Sequence, residues 1–145
     1  MKIRQILQKK KINALFSVSS DTTVYNALVE MADKNIGAVL VIDQGTLSGI
    51  FSERDYARKI VLKGLHSDET QVKDVMTARV ITIDVEDKLE DAMQIMSDRH
   101  IRHLPVMDGS ELVGIISIND LVSTLINEQK SQIASLESYI SGSYA

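Results

Sequence analysis

The chain has 145 residues, of which 44% are apolar, 4% aromatic and 25% charged, with no cysteine and a formal charge of −4. This length suits one domain, or two very small ones that share a core, without covalent staples. The lack of cysteine excludes disulfides, thiolate nucleophiles and thiolate metal sites. The longest aliphatic run, residues 38–42, is far too short for a membrane span, and the N-terminus lacks a signal-peptide pattern. We therefore expect a soluble, cytoplasmic protein.

The first 20 residues carry five basic side chains and no acidic one. A basic end can attract nucleic acid or another polyanion. These cations have no interleaved aromatic residues and no recognition-helix pattern, so a solvated surface explains them better than nucleic-acid binding. The alternative for Lys9–Lys11 is that they lean over a phosphate site.

The first half of the chain predicts a helix, two strands and a second helix. In chain order these are a helix over 23–31, a strand over 38–42, a turn at 43–45, a strand over 47–51 and a helix that begins at Ser52. The first helix places its apolar residues on one stripe. The strand over 38–42 is continuous enough to be buried, the turn has hairpin residues, and Ser52 is a favourable N-cap. The polar stretch 63–71 is typical of a linker.

The second half repeats this order. The equivalents are a helix over 89–96, a strand over 103–107, a turn at 108–110, a strand over 112–116 and a helix that begins at Ser117. An offset of 65 residues aligns 11 identical residues over the 40 positions from Ser17 to Tyr56 without a gap. The openings of the two halves, residues 4–7 and 73–76, match at an offset of 69. Each unit reads as strand–helix–strand–strand–helix.

One such unit, at about 60 residues, buries too little apolar surface to be stable alone. We therefore expect an α/β (α+β) fold in which two β-α-β-β-α repeats pack as a pseudo-twofold pair. The predicted division is repeat 1 over 1–62, a linker over 63–71, repeat 2 over 72–126 and a helical tail over 127–145. Such a pair has two related clefts where strand ends meet helix starts, which suits a small ligand.

Two motifs within these repeats carry a family resemblance. Residues 49–55 (Gly-Ile-Phe-Ser-Glu-Arg-Asp) and 114–120 (Gly-Ile-Ile-Ser-Ile-Asn-Asp) resemble the Gly-h-h-Ser/Thr-x-x-Asp signature of cystathionine β-synthase (CBS) domains. Residues 101–108 (Ile-Arg-His-Leu-Pro-Val-Met-Asp) resemble a second motif of that family. The resemblance covers about residues 1–126, so the chain is similar to a stand-alone CBS pair, or Bateman module. The resemblance implies a regulatory module that binds AMP, ADP, ATP, NAD(H) or a related adenosyl ligand, forms a homodimer and reports to a protein partner.

The motif residues also have a physical interpretation. Glycine lets a neighbour or a ligand approach the backbone closely. The serine lies at a helix N-terminus, where free N–H groups and the helix dipole favour an anion such as phosphate. The aspartate lies one turn further on the same face, where a carboxylate can accept two hydrogen bonds from a ribose diol. The residues concerned are Gly49, Ser52 and Asp55 in repeat 1, and Gly114, Ser117 and Asp120 in repeat 2. The alternative is that the serines are simple N-caps and the aspartates pair with surface cations.

The two clefts are predicted to be unequal, because Arg54 in the first motif is replaced by Asn119 in the second. The resemblance places Arg102 and His103 at the inner edge of the clefts. There the guanidinium suits phosphate oxygens, and the imidazole can donate a hydrogen bond or sense pH. A salt bridge for Arg102 and a backbone-bonded histidine at 103 are the alternatives.

The resemblance further implies that adenine contacts residues just before the first helix of each repeat. These positions are 14–16, with Phe16, and 79–82, with Val80 and Thr82; Gly37 lies where repeat 2 has Arg102. The Asp55 cleft is predicted to hold more cations, since the Asp120 cleft has few unless Arg102, His103 or Lys11 reaches it.

Catalysis finds little support in the sequence. Ser117, His103 and Asp120 lack a nucleophile-elbow context, and the three histidines lack a metal-ligand spacing, so neither an enzyme nor a metal site is expected. The apolar spacing from Asp120 to Tyr139 predicts a long amphipathic helix that caps the domain or pairs with a second copy. The function predicted is nucleotide-dependent regulation, and the alternative is a constitutive dimerisation or scaffold module with vestigial clefts.

Overall fold

Two small sheets with their helices make up the fold. The computed structural model describes residues 1–10 and 15–141. The elements are α1 (Ile3–Lys9), β1 (Ser17–Val18), α2 (Val24–Lys34), β2 (Ala38–Asp43), β3 (Thr46–Ser52), α3 (Glu53–Asp55) with a π-helical continuation (Tyr56–Val61), a 3₁₀ turn (Val72–Asp74), β4 (Ile83–Asp84), α4 (Leu89–Arg99), β5 (His103–Asp108), β6 (Glu111–Ser117) and α5 (Ile118–Ser141). The predicted mixed α/β fold of two repeated units is confirmed.

The two sheets have the same topology and register. In each, a two-residue strand pairs in parallel with the middle strand, which pairs antiparallel with the third. Val41 lies opposite Gly49 in the first sheet and Val106 opposite Gly114 in the second, and each ladder shifts register just after that valine. The predicted strands are correct but one residue too short at most ends, because the hairpin ladders extend to the turn at one end and to the motif serine at the other.

The segment that precedes each repeat packs in the hydrophobic core of the other repeat. These two segments, α1 and the stretch around the 3₁₀ turn, are called the leading segments. The side chains of Ile3, Ile6 and Leu7 on α1 lie in the hydrophobic core of the second sheet. Val72 and Val75, around the 3₁₀ turn, lie in the core of the first sheet. The sequence division assigned α1 to the first repeat by chain order, whereas its packing partners belong to the second.

Backbone hydrogen bonds fix this exchange at equivalent places. Ile3 N donates to Asp87 O at 2.9 Å, and Val72 N donates to Thr22 O at 2.8 Å. Because α1 and the 3₁₀ turn cross between repeats, the two sheets cannot separate without breaking both cores.

The glycines of the twin motifs accommodate these crossing segments. A Cβ on Gly49 would lie 2.7 Å from Met76 Sδ and 2.8 Å from the backbone oxygen of Thr77, and one on Gly114 would lie 2.8 Å from Leu7 Cδ2. Ile50 and Thr77 exchange backbone hydrogen bonds at 3.0 and 2.9 Å. Of the two occupants predicted for this space, a neighbouring segment or a ligand, the structure places the neighbouring segment there.

Helix α5 is the longest element and confirms the long helix predicted for residues 120–139. Leu121 is fully buried and Leu125 packs against the second core. From residue 129 to residue 141 every residue is exposed. In the part of the chain that the structure describes, no helix is both long enough and apolar enough to cross a bilayer.

Candidate functional site

The serine and aspartate of each motif cap the helix that follows. Ser52 N donates to Asp55 Oδ2 at 2.9 Å, and Asp55 N donates to Ser52 Oγ at 3.2 Å. The second repeat has the same pair of bonds, from Ser117 N to Asp120 Oδ2 at 2.8 Å and from Asp120 N to Ser117 Oγ at 3.2 Å. Because both bonds need the serine and the aspartate three residues apart, the spacing of the motif has a structural cause.

A third N–H group at each helix start is also bonded. Glu53 N donates to Gly37 O at 3.0 Å, and Ile118 N donates to Arg102 O at 2.9 Å. The sequence predicted free N–H groups at these helix starts as the phosphate site. That prediction is wrong for these donors, because backbone and side-chain oxygens of the chain already occupy them. A phosphate could use these three donors of either helix start only by displacing a bond within the chain.

Each motif aspartate forms an ion pair with a lysine. Lys59 Nζ lies 3.0 Å from Asp55 Oδ1 and donates to the backbone oxygen of Val75 at 2.9 Å. Lys10 Nζ lies 3.0 Å from Asp120 Oδ2 and donates to the backbone oxygen of Ile115 at 2.8 Å. Both carboxylates are largely buried, with 13% of the Asp55 side chain and 24% of the Asp120 side chain exposed. Each cleft therefore holds a carboxylate next to an ammonium group.

Sequence reasoning missed Lys59 and only partly anticipated Lys10. Lys59 follows Asp55 by four residues on a helical segment, which is the spacing of an intrahelical ion pair, so the signal was present. Lys10 belongs to the basic opening, for which a solvated surface was preferred over a phosphate site. No local pattern links it to Asp120, since the two come together only because α1 crosses to the second repeat.

His103 lies at the junction between the repeats. A Cβ on Gly37 would lie 3.6 Å from its Cε1 atom, so the two predicted site residues face each other across the repeats. Burial lowers the pKa of His103; Asp120 opposes the shift, and Lys10 and Arg102 add to it. Lys10, Arg102 and Asp120 are thus close enough to His103 to affect its charge.

The lowered pKa of His103 predicts a loss of stability in mild acid. A histidine whose folded pKa lies below its unfolded value, about 6.5, stabilises the fold above that pH and loses this contribution as the pH falls. We expect wild type to lose more of its free energy of unfolding than His103→Gln between about pH 7.5 and pH 5. Urea unfolding at several pH values measures this, and His66→Gln, at an exposed position, is the control. Parallel pH profiles for wild type and His103→Gln would contradict the prediction.

The cations are distributed differently from the prediction. Arg54, expected to serve a phosphate in the Asp55 cleft, is exposed and donates from Nη1 to the backbone oxygen of His100, at the end of α4. This bond bridges the repeats and places the guanidinium at a helix C-terminus, where a cation is favourable. Lys10 pairs with Asp120, and Asp120, Lys10 and Arg102 all affect the charge of His103, so basic groups also collect beside the Asp120 cleft, which the sequence prediction allowed only if Arg102, His103 or Lys11 reached it.

Phe16 extends the line of β1. Its backbone oxygen accepts a hydrogen bond from Leu40 N at 3.3 Å, and the Lys34 ammonium lies 5.3 Å from the centre of its ring. The ring is partly exposed, so it offers one aromatic surface at the edge of the first sheet.

The other predicted site residues lie at helix starts and before β4. Val80 is partly buried and Thr82 exposed in the stretch before β4, and Asn119 is exposed in the first turn of α5. The predicted contributions of Ala14 and Lys11 lie outside the described residues.

A cavity of about 540 Å³ opens between α1 and the first turns of α5. Its wall consists of Met1, Ile6, Lys9, Lys10, Asp120, Ser123, Thr124, Asn127, Glu128 and Ser131. The Lys10–Asp120 ion pair is part of this wall, so it borders a space large enough for a small molecule. Over residues 1–10 and 15–141, no three His, Asp or Glu side chains are grouped as a metal site requires.

Comparison with known proteins agrees with this architecture. The family model described as the CBS domain matches residues 3–62 and 72–127. The mitochondrial CBS domain-containing protein CBSX3 of Arabidopsis thaliana is 40% identical over 131 residues, which is 87% of this chain but only 64% of the plant protein. YhcV of Bacillus subtilis is 36% identical over 113 residues, 77% of this chain and 80% of YhcV.

Solved structures give the same result. A CBS-domain protein of Burkholderia ambifaria is 41% identical with a TM-score of 0.87, over 89% of this chain and 96% of that one. Two more distant structures, both 24% identical, share the fold. PAE2072 of Pyrobaculum aerophilum, complexed with AMP, has a TM-score of 0.72 over 83% of this chain and 89% of its own. The CBS pair of MJ0100, complexed with 5′-methylthioadenosine and S-adenosyl-L-methionine, has a TM-score of 0.76 over 89% and 98%. With two matched repeats and two equivalent sheets, the chain belongs to the CBS domain family as a tandem pair.

Proposed function

We propose that this CBS pair is a non-enzymatic regulatory module that binds an adenine nucleotide, such as AMP, ADP, ATP or NAD(H), between its repeats. The observation that carries the proposal is the matched carboxylate and lysine in both clefts, Asp55 with Lys59 and Asp120 with Lys10. The AMP and S-adenosylmethionine complexes of two distant CBS pairs support an adenosyl ligand.

The chemistry of the Asp120 cleft suits a nucleoside phosphate. A carboxylate accepts hydrogen bonds from a ribose diol, and cationic groups bind phosphate oxygens. The Lys10 ammonium lies 3.0 Å from Asp120 Oδ2. When a ribose binds to the Asp120 carboxylate, the ammonium would turn from the carboxylate to the phosphate of the same ligand. His103, whose charge Asp120, Lys10 and Arg102 all affect, is a further candidate donor beside this ion pair. We therefore expect the Asp120 cleft to bind a phosphorylated ligand more tightly than the Asp55 cleft.

Contacts between the repeats would connect binding to a response. His103 faces Gly37, and Arg54 reaches His100, so the packing of the two repeats depends on residues of the proposed clefts. A ligand shifts such packing only by its different affinity for the two arrangements. The output would go to a protein partner, with a homodimer as the regulated unit. The cytoplasmic location stays a prediction, since one relative is mitochondrial.

Calorimetric titration with AMP, ADP, ATP, NAD(H) and S-adenosylmethionine tests the proposal. We expect Asp120→Asn to weaken binding of the preferred nucleotide about 10- to 100-fold, since a hydrogen bond to a charged group contributes about 1.5–3 kcal/mol. Asparagine retains an oxygen for the cap of α5, so the fold should survive. Asp43→Asn is the matched control. Asp43 also accepts a backbone hydrogen bond, from Ser20 N at 2.9 Å, but it lies at the end of β2 away from the motif.

The alternative of a scaffold with vestigial clefts has its own support, since capping and ion pairing already account for both aspartates. It predicts no binding of any of the five ligands. Binding that survives both Asp55→Asn and Asp120→Asn would place the ligand elsewhere and would also overturn the proposal.

A further inference from the structure

Helix α5 carries an exposed apolar stripe from Val122 to Ile140. The exposed fraction of its aliphatic residues rises from 42% at Val122 to 69% at Ile140. Leu121 and Leu125, which attach the helix to the second repeat, precede Val122 and Ile126 by one residue, so the exposed stripe is turned about 100° from the attached one. The stripe is therefore accessible along its whole length.

The stripe follows a heptad repeat rather than the spacing of an ordinary amphipathic helix. Its members are separated alternately by four and three residues: Val122, Ile126, Gln129, Ile133, Leu136 and Ile140. In coiled-coil notation, isoleucine occupies all three a positions, and valine, glutamine and leucine occupy the d positions. The outward b, c and f positions from 127 to 135 are polar or small: Asn127, Glu128, Ser131, Ala134 and Ser135. An apolar spacing that averages 3.5 residues keeps the a and d residues, here called the seam, facing a partner helix when two helices supercoil.

We propose that this seam pairs with the same seam of a second copy as a parallel, in-register, two-stranded coiled coil. β-Branched isoleucine at all three a positions, with leucine at the d position 136, favours this arrangement. In register, Gln129 meets its own counterpart, and an amide carries both donors and an acceptor, so the two can bond each other.

Charge favours the parallel orientation over the antiparallel one. An antiparallel pair that matches all six seam positions has its centre near residue 131 and brings Lys130 against Lys130 of the second copy, which is repulsive. In the parallel pair, Lys130 flanks Leu125 and Glu137 flanks Gln132, so no like charges meet.

The size of the seam predicts a weak dimer. From Val122 to Ile140 it is about 27 Å long at 1.5 Å per residue. One helix about 10 Å wide and of this length presents less than the roughly 800 Å² that each partner contributes to a standard interface. We expect association in the micromolar range, assisted by the attachment of α5 to the body, which orders the helix before pairing.

Cysteine cross-linking tests the pairing and its direction, because the chain has no cysteine of its own. Leu136→Cys should form a disulfide-linked dimer on mild oxidation, since facing d residues lie within the roughly 7 Å between Cα atoms that a disulfide allows. Ser131→Cys, on the opposite side of the helix, is the matched control and should remain largely monomeric. A mixture of Ile126→Cys and Leu136→Cys chains should give only like-with-like disulfides.

Sedimentation equilibrium of the full chain supplies the second measurement. Ile133→Asp should weaken dimerisation at least about tenfold, because it buries a charge in the seam, whereas Ser135→Asp on the outer face should not. Failure of Leu136→Cys to cross-link, or a dimer unaffected by Ile133→Asp, would overturn the proposal. A mixed disulfide between positions 126 and 136 would show antiparallel pairing and would overturn it as well.

Discussion

Ile6→Ala is expected to lower the free energy of unfolding by about 2–5 kcal/mol, the range for truncating a fully buried isoleucine. Only 2% of Ile6 is exposed, and its neighbours are in the core of the second sheet. The damage should therefore appear first in β4, β5 and β6 rather than in β1, which follows Ile6 directly in the chain. Local unfolding depends on packing partners and not on chain order.

Hydrogen exchange of backbone amides locates this effect. In Ile6→Ala, protection should fall most in the second sheet, and in Val75→Ala most in the first, because Val75 packs in the other core. Gln8→Ala, an exposed change on the same helix, should leave both sheets protected. Equal loss of protection in both sheets for Ile6→Ala would contradict the local effect, and a loss confined to the first sheet would contradict the exchange of segments.

The elements themselves were predictable because their signals are local. The apolar run at 38–42 occurs again at 103–107, and the apolar stripe of the helix over 23–31 occurs again at 89–96. Each predicted element was therefore supported by a second occurrence in the other repeat. The turns also carried their signal. Gln44 and Gly45 both have positive φ, 50° and 78°, which is the geometry of the tight hairpin turn indicated by Asp43-Gln44-Gly45.

The exchange of leading segments was not predictable from local pattern, although one sign of it was present. The openings of the two halves match at an offset of 69, while the bodies match at 65. Such a shift indicates that each opening is a separate piece, but it does not tell which sheet that piece joins. Only the packing of Leu7 and Met76 against the motif glycines decides this.

The sequence predicted where the motif residues of the candidate site lie, but not which groups they bond. Ser52 and Asp55 were placed correctly at a helix start, yet the same pattern served two interpretations, a cap and a ligand site. The structure shows the cap, and the proposed ligand would have to use the carboxylate together with it. Lys10 reaches Asp120 from a distant part of the chain. A single sequence contains no periodicity that reports such a contact.

The two motif glycines should respond differently to the same substitution. Gly49→Ala is expected to cost about 1–3 kcal/mol, the usual range for overpacking, and Gly114→Ala clearly less. At Gly49 the new methyl group would meet the backbone oxygen of Thr77 at 2.8 Å, and that segment is held by its hydrogen bonds to Ile50. At Gly114 it would meet the tip of the Leu7 side chain at 2.8 Å, which can rotate away.

Urea unfolding of Gly49→Ala and Gly114→Ala, each alone and combined with one compensating substitution, separates the effect of the new contacts from the effect on the unfolded backbone. A glycine-to-alanine change restricts the unfolded chain to the same extent at both sites, so the difference between the two costs reports the contacts alone. Leu7→Val should recover part of the loss in Gly114→Ala, since the smaller side chain makes room. Met76→Val should recover little in Gly49→Ala, since the Thr77 oxygen stays in place. An equal loss of unfolding free energy for Gly49→Ala and Gly114→Ala would contradict the prediction. It would show that the Met76–Thr77 segment and the Leu7 side chain move aside equally easily.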